Sequence, residues 1–538
     1  MSRSTSIPAV RLTPWLAAAC LSASATLAPA ATLTVNGSGD TVGVDGLCTL
    51  REAILSMNGV ASVNADCVAS GAYGTNDTIQ FAIPGIGVRT ISPASALPAV
   101  TATVLIDGYS QTGAAANSAA NGWNGSIAIE LDGTSAGASA DGLQLLGSAS
   151  TVRGLAIVNF NGNGIRFGAG VSGNSTGHTV AGCFLGLRPD GTAAGNNLYG
   201  VAFNALGDSD NNTMGGPNPA DRNVASANSQ GGILLNNPAT GNTIHNNYIG
   251  VDPTGTADRG NAFNAIWINQ ASNTTVRDNL MSGNGNVAVL IQGNIATGNV
   301  VAGNRIGTDV AGTSALPNGA GALVASPNNT IGGTGAQDGN VIAFNAGFGV
   351  RVTGGATVGG VSILRNAVHS NGTTLGIDLG GDAAIQPNDA GDGDAGENGL
   401  QNYPVLVSAS AAGAIAGTLD STPSRSFRVE LFSSASCPGP DFREGAVFVG
   451  FVDISTDGAG IAPVAANVGA LTPGAGITAT ATDNLTGDTS EISACVVVAA
   501  APVPAAPVVP VPALPAGGWA LLAALLAAAG RATIRRRR

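Results

Sequence analysis

The chain has 538 residues, among them 79 glycines and 26 prolines, and only 10% of its residues are charged. Soluble domains usually carry roughly 25% charged residues, so an ordinary helical globular protein is excluded. The formal net charge is −12, and every Lys or Arg position is an arginine. Such a charge repels phosphate backbones, so we expect no nucleic-acid partner, whereas cations and neutral polymers stay open.

The first thirty residues have the layout of a signal peptide. A basic start with Arg3 and Arg11 leads into an apolar stretch over residues 12–27, and Ala28-Pro-Ala30 matches the small-x-small pattern that signal peptidase cuts. We therefore predict that residues 1–30 are removed and that the protein is exported through the inner membrane.

The cysteines remaining after that cleavage predict two disulfides, because an exported chain meets an oxidising compartment. Cys48 pairs with Cys67 near the start of the chain, and Cys437 pairs with Cys495 near its end. Each bridge contributes roughly 3–4 kcal/mol in the chain-entropy model. Cys183 is left over, and we expect a buried small hydrophobe there instead of a nucleophile.

A repeated strand pattern fills the middle of the chain. Nine copies of Gly or Ala followed by apolar-x-apolar occur at intervals of 22 to 36 residues, with a mean of 29. Repeats of this length with short strands predict a β solenoid, and the flanking apolar residues would fill its interior. We predict a right-handed parallel β-helix over residues 141–402. The nine copies begin at Gly142, Gly164, Gly200, Gly232, Ala265, Ala288, Gly321, Gly349 and Gly376.

Asparagine is unusually frequent in the predicted turns, with 34 copies between residues 151 and 380. Its side chain tolerates left-handed backbone angles and can bond to turn backbone or to an asparagine one coil away. We expect structural stacks of asparagine.

The middle residues of the nine copies point outward and form the candidate ligand-contact surface. In chain order they are Gln144, Arg166, Ala202, Leu234, Trp267, Leu290, Leu323, Arg351 and Asp378. An exposed apolar row usually marks a contact surface. One interpretation is a polysaccharide groove in which Trp267 stacks on a sugar, with Arg166 and Arg351 at either side. The alternative is that an inserted loop or a neighbouring chain covers the row.

After the repeats, residues 403–498 alternate in the manner of antiparallel strands, which predicts a small Ig-like β-sandwich.

Just before this predicted sandwich, four carboxylates occur within nine residues: Asp389, Asp392, Asp394 and Glu397. Tight acidic loops supply the oxygen ligands that Ca²⁺ prefers, so Ca²⁺ is the one candidate cofactor; a solvated acidic linker is the alternative.

The C-terminal segment combines a Pro/Ala linker over 499–513 with an apolar run and the cluster 535–538, four arginines, within residues 514–538. Such a tail predicts a marginal membrane helix with its arginines in the cytoplasm. Val511-Pro-Ala-Leu514, followed by Trp519, resembles the IPTL type of bacterial sorting signal, which is related to PEP-CTERM tails. The resemblance implies an exosortase-like processing enzyme and retention at the cell surface; an ordinary tail anchor stays open.

Cys48-Thr-Leu-Arg-Glu-Ala53 resembles the CSLREA motif that opens a group of secreted bacterial right-handed β-helix proteins. The resemblance implies that residues 31–140 form an entry segment that caps the coil and supplies its first turns. It implies nothing about activity.

No catalytic constellation is recognisable. The three histidines occur singly, and Asp252 and Asp309 lie in turns where they are expected to bond to their own backbone. The favoured function is an exported, surface-retained binding or adhesive module for a polysaccharide or envelope surface. A β-helical polysaccharide lyase or glycoside hydrolase is one alternative, and a passive surface stalk is another.

Overall fold

A computed structural model describes residues 29–168, 175–203, 209–236, 238–372, 375–439, 442–500 and 516–534. The predicted signal peptide up to residue 28, residues 501–515 and the cluster 535–538 lie outside the described residues.

Three long parallel sheets wind into a β-helix, as predicted. A typical coil runs from sheet 2 (Ile233–Asn236) through sheet 1 (Thr243–His245) to sheet 3 (Tyr248–Ile249), and then returns to sheet 2 at Ile266–Asn269. Each coil pairs in parallel with its neighbours, so every sheet grows by one strand per coil.

Within the described residues the three sheets have eleven, nine and ten strands. Sheet 1 contains Thr32–Val35, Asp77–Phe81, Val104–Asp107, Thr151–Arg153, Thr179–Ala181, Thr213–Gly215, Thr243–His245, Thr275–Arg277, Val300–Ala302, Thr330–Gly332 and Ser362–Leu364. Sheet 2 contains Leu143–Leu145, Ile165–Phe167, Val201–Phe203, Ile233–Asn236, Ile266–Asn269, Val287–Gln292, Ala320–Ala325, Val350–Val352 and Ile377–Leu379. Sheet 3 contains Arg89–Ile91, Ile129–Asp132, Leu155–Val158, Phe184–Leu185, Val224–Ala225, Tyr248–Ile249, Leu280–Met281, Arg305–Ile306, Val341–Ala343 and Ala367–His369.

Sheet 2 confirms the predicted repeat, because each of its nine strands holds one of the nine apolar-x-apolar copies. All eighteen flanking side chains are at most 3% exposed. Alternation along each strand places them in one continuous interior column, whose burial removes apolar surface from water along the whole coil.

Asparagine stacks occupy the turns, also as predicted. At the turn between sheets 1 and 3, Asn247, Asn279 and Asn304 are buried, and each Nδ2 donates to the Oδ1 of the asparagine one coil further on. A second stack, between sheets 3 and 2, includes Asn261 and Asn284. The amides satisfy backbone groups that a sharp turn would otherwise leave without a partner.

Helix α1, Leu50–Gly59, closes the first end of the β-helix. Thr49 and Glu52 form a capping box at the start of α1. Leu50 and Ala53 are buried in the hydrophobic core of the β-helix. Cys48 forms the predicted disulfide with Cys67. The run that resembles CSLREA therefore supplies the start of α1 and one cysteine of this disulfide.

A seven-stranded, mostly antiparallel sheet follows the coils and curls so that its two edge strands contact each other. This sandwich-like domain has its own core and holds the predicted disulfide between Cys437 and Cys495. Its strands are Val405–Ser410, Ala414–Asp420, Ser426–Ser434, Val447–Ser455, Ile461–Asn467, Gly476–Asp483 and Val496–Ala499.

The C-terminal domain closes the second end of the β-helix by accepting backbone N–H groups of the last coil. Thr489 accepts from Ile363, Glu491 accepts from Leu379, and the Arg443 carbonyl accepts from Gly376. These donors lie at the end of the parallel ladder, where no further coil would pair with them.

The described residues contain few helices. Besides α1 they form a second α-helix, α2, over Ala516–Ile534, and five 3₁₀ turns at Gly108–Ser110, Gly133–Ser135, Pro219–Asp221, Gly355–Thr357 and Glu397–Leu400. Among the described residues, no helix combines the length and apolar character needed to cross a membrane.

Candidate functional site

The outward residues of sheet 2 stack in one register over all nine coils. Leu234 pairs with Trp267, Trp267 with Leu290, and Leu290 with Leu323. We call these four residues the apolar stripe. Each of the four side chains is partly exposed, even though a residue on each adjacent strand lies beside it. The described part of the chain therefore does not bury the stripe.

The outer face of sheet 3 carries a comparable row that is covered. Its residues, called here the covered row, are stacked in register and at most 4% exposed. They are Ala156, Phe184, Val224, Tyr248 and Leu280. Trp123, Leu187, Val251, Val310 and Leu316, from inserted loops, pack over them.

The loop that carries Trp123 is fixed over the covered row by specific bonds. The ring of Trp123 lies 4.8 Å from that of Phe184, and the Gly122 N–H donates to the hydroxyl of Tyr248 over 2.8 Å. The guanidinium of Arg222 donates to three carbonyls of the same loop. Insertions thus cover the apolar row of sheet 3, whereas the described residues leave the row of sheet 2 partly exposed.

A row of amides borders the apolar stripe. Asn236, Asn269 and Gln292 lie two residues beyond the stripe residues on the same strands and therefore share their face. Asn269 donates to Asn236 over 2.8 Å, and Gln292 donates to Asn269 over 3.4 Å. This row was not predicted from the sequence, although its position two residues after the middle residues would have indicated it.

Aromatic residues lie near the stripe. Phe263 is 49% exposed on the coil that carries Trp267, four residues before it. Trp267 is partly exposed, but its Nε1 is buried and has no hydrogen-bond partner. Trp267 therefore offers a ligand its ring and not its N–H group.

The two arginines predicted to flank the groove have internal partners. Arg166 lies 3.4 Å from Asp141, and Arg351 lies 2.7 Å from Asp378 and stacks over Phe348. Asp378 faces outward in register with Arg351, as expected, but it is only 1% exposed and so does not belong to an exposed row. Both arginines are ion-paired at the ends of the stripe.

The acidic loop brings three of its four predicted ligands together. Carboxylate oxygens of Asp389, Asp392 and Asp394 lie within 4.8 Å of one another, an arrangement that can hold a cation. Burial raises the pKa of Asp392 to about 6. Glu397 lies apart and accepts the N–H groups of Gly354 and Gly355 instead.

The remaining titratable groups have structural surroundings. Asp252 and Asp309 accept backbone N–H groups of their own turns. Burial lowers the pKa of His178 to about 4 and raises that of the buried Cys183 thiol to about 12. His245, which sequence reasoning left isolated, lies 3.1 Å from the carboxylate of Asp278.

No protein-family model matches the chain, and no curated protein matches it. The resemblances to CSLREA proteins and to sorting tails therefore stay predictions. A crystal structure of the periplasmic alginate epimerase AlgG is similar at 13% identity and a TM-score of 0.25, covering 55% of this chain and 56% of that one. The full-length tailspike protein 2 of Escherichia coli O157:H7 bacteriophage CAB120 is similar at 11% identity and a TM-score of 0.27.

The second likeness covers 80% of this chain and 65% of the tailspike protein. The chain thus spans less than two thirds of either protein. With TM-scores this low, neither likeness carries an argument about function.

Proposed function

We propose that the outer face of sheet 2 binds a polysaccharide and that the protein is an exported binding module retained at the cell surface. The open apolar stripe carries this proposal. Inserted loops cover the equivalent row of sheet 3, so the fold itself does not require an exposed row of this kind. On sheet 2, however, the row stays partly exposed to solvent at Leu234, Trp267, Leu290 and Leu323. Contiguous exposed apolar rows usually serve as contact surfaces.

The chemistry of the face suits a neutral or weakly charged glycan. A sugar presents an apolar ring face and a polar rim of hydroxyl groups. The ring of Trp267 and the leucines match the first, and the amides of Asn236, Asn269 and Gln292 offer donors and acceptors to the second. Since Arg166 and Arg351 are ion-paired, we assign them to shaping the ends of the face.

Export and surface retention complete the proposal. The signal-peptide layout supports export, and two disulfides are compatible with an oxidising compartment. Signal peptidase and an exosortase-like enzyme are the proposed processing partners. The acidic triad Asp389, Asp392 and Asp394 is proposed to bind Ca²⁺ beside the C-terminal domain.

The test is binding of the purified chain to a panel of envelope and plant-type polysaccharides. Trp267→Ala should weaken binding roughly tenfold or more, as expected for about 1.4 kcal/mol of lost ring contact. Trp267→Phe should restore most of the affinity, because it keeps an aromatic face. Leu485→Ala is the matched control, since Leu485 is 75% exposed on the C-terminal domain.

Unchanged binding in Trp267→Ala would contradict the proposed face. Release of reducing ends or unsaturated uronates from any glycan of the panel would instead indicate the lyase or hydrolase alternative. If the chain bound none of the glycans, the passive surface stalk would be the remaining function.

A further inference from the structure

A second open surface lies on sheet 3, where the covered row ends. Beyond Leu280 the same outward row continues in register with Arg305, Val341 and Ala367. There it forms the floor of a cleft of about 390 Å³, a volume typical of small-molecule sites. Its lining includes Asp278, Arg305, Gln337, Val341, Arg365 and, from the C-terminal domain, Phe448.

Arg305 has no counter-ion in this cleft. Its side chain is exposed, and among the described residues no carboxylate lies within ion-pair distance of its guanidinium and no side-chain hydrogen bond involves it. Arg365 also lines the cleft, with its guanidinium 4.1 Å from the ring centre of Phe448. Two arginines thus face a cavity in a chain whose net charge is −12.

The carboxylates around the cleft already have cationic partners. Asp278 lies 3.2 Å from Arg277, and Asp338 lies 2.9 Å from the same guanidinium. Glu430 is paired with Arg428 at 2.8 Å. Arg277 and Arg428 therefore account for all three carboxylates, and among the described residues Arg305 and Arg365 have no carboxylate within ion-pair distance.

We propose that this cleft binds a carboxylate-bearing sugar unit, with Arg305 as its anchor. A guanidinium fork matches the two oxygens of a carboxylate. The carboxylate of Asp278 in the lining pairs with Arg277, and no described carboxylate lies within ion-pair distance of Arg305 to compete for it. The mostly polar lining, including Gln337, suits a hydroxyl-rich ligand better than an apolar peptide side chain. The site is separate from the apolar stripe and does not rest on the proposed function.

Isothermal titration calorimetry at low salt tests the proposal, with glucuronate as the probe and glucose as its neutral counterpart. Glucuronate should bind and glucose should not. Arg305→Gln should weaken glucuronate binding at least tenfold while leaving thermal unfolding unchanged, because the side chain is exposed. Arg259→Gln, at an exposed arginine outside the cleft, is the matched control and should bind as the wild type does.

Absence of glucuronate binding by the wild type, or an equal loss in both arginine variants, would overturn the proposal. So would equally tight binding of inorganic phosphate or of an acetylated glutamate peptide, which would show an anion site without sugar recognition. Trp267→Ala should keep its glucuronate affinity, so failure of the stripe and failure of the cleft are distinguishable.

Discussion

The carboxyl group of Glu491 should make the junction between the β-helix and the C-terminal domain sensitive to pH. It is 1% exposed and accepts the N–H groups of Leu379 over 3.1 Å and Gln386 over 3.0 Å. Burial raises its pKa to about 7, and the nearby Asp378 adds to this, whereas Arg443 opposes it. The perturbation is a rise in pH from 5 to 8.5, compared in the wild type and in Glu491→Gln.

The magnitude follows from linkage between protonation and folding. The ordinary pKa of the glutamate is 4.5, so the folded state holds the proton more tightly than the unfolded state. The resulting stability is fully present below pH 4.5 and is lost as the pH rises through about 7. At about 1.4 kcal/mol per pH unit of pKa difference, the wild type loses roughly 3 kcal/mol over this window.

The measurement is the free energy of unfolding from urea denaturation at a series of pH values. Glu491→Gln cannot ionise, so its stability should fall less between pH 5 and 8.5 than that of the wild type. Asp453→Asn is the control for charge removal at an exposed site of the same domain. The buried neutral His178 acts in the opposite direction, gaining stability as the pH rises from 4 to 6.5, but it does so equally in all three proteins. Identical pH dependence in the wild type and in Glu491→Gln would refute the reasoning.

Two further predictions concern the asparagine stacks and the acidic loop. Asn279→Ala should lower the free energy of unfolding by about 4 kcal/mol, since four hydrogen bonds of roughly 1 kcal/mol each are lost, whereas Asn286→Ala at an exposed turn should not. A loss below about 1 kcal/mol would contradict a structural role for the stack. Ca²⁺ at a hundredfold excess over its dissociation constant should stabilise the chain by about 2.7 kcal/mol in thermal unfolding, and Asp394→Asn should weaken this. The same stabilisation by Mg²⁺, or none by Ca²⁺, would argue for a solvated loop.

The face of sheet 2 shows how far a local pattern reaches. Alternation within each strand decides which side chains point inward. The nine copies therefore predicted both the interior column and the outward row from the sequence alone. The asparagine stacks were predictable because they follow the same repeat. The two disulfides were predictable from the number and position of the cysteines.

The alternation pattern could not predict which outward row is covered and which stays partly exposed. Leu290 of the stripe and Leu280 of the covered row are both outward leucines on short strands, and nothing in their own segments distinguishes them. The difference comes from inserted loops that pack over sheet 3: Trp123 packs on Phe184, and Val310 and Leu316 pack against the cluster that includes Leu280. Such contacts are decided by packing between inserted loops, which follow no repeat.

The amino-acid sequence by itself determined the coil, its interior and its outward rows, since each coil of a solenoid contacts chiefly its neighbours and a periodic pattern suffices to specify them. Only the tertiary structure decided which row stays partly exposed, that Asp378 is buried, and that Arg305 lines a cleft without a described carboxylate at ion-pair distance. Those features join residues far apart in the chain, and their energies depend on burial and on charges that no repeat encodes.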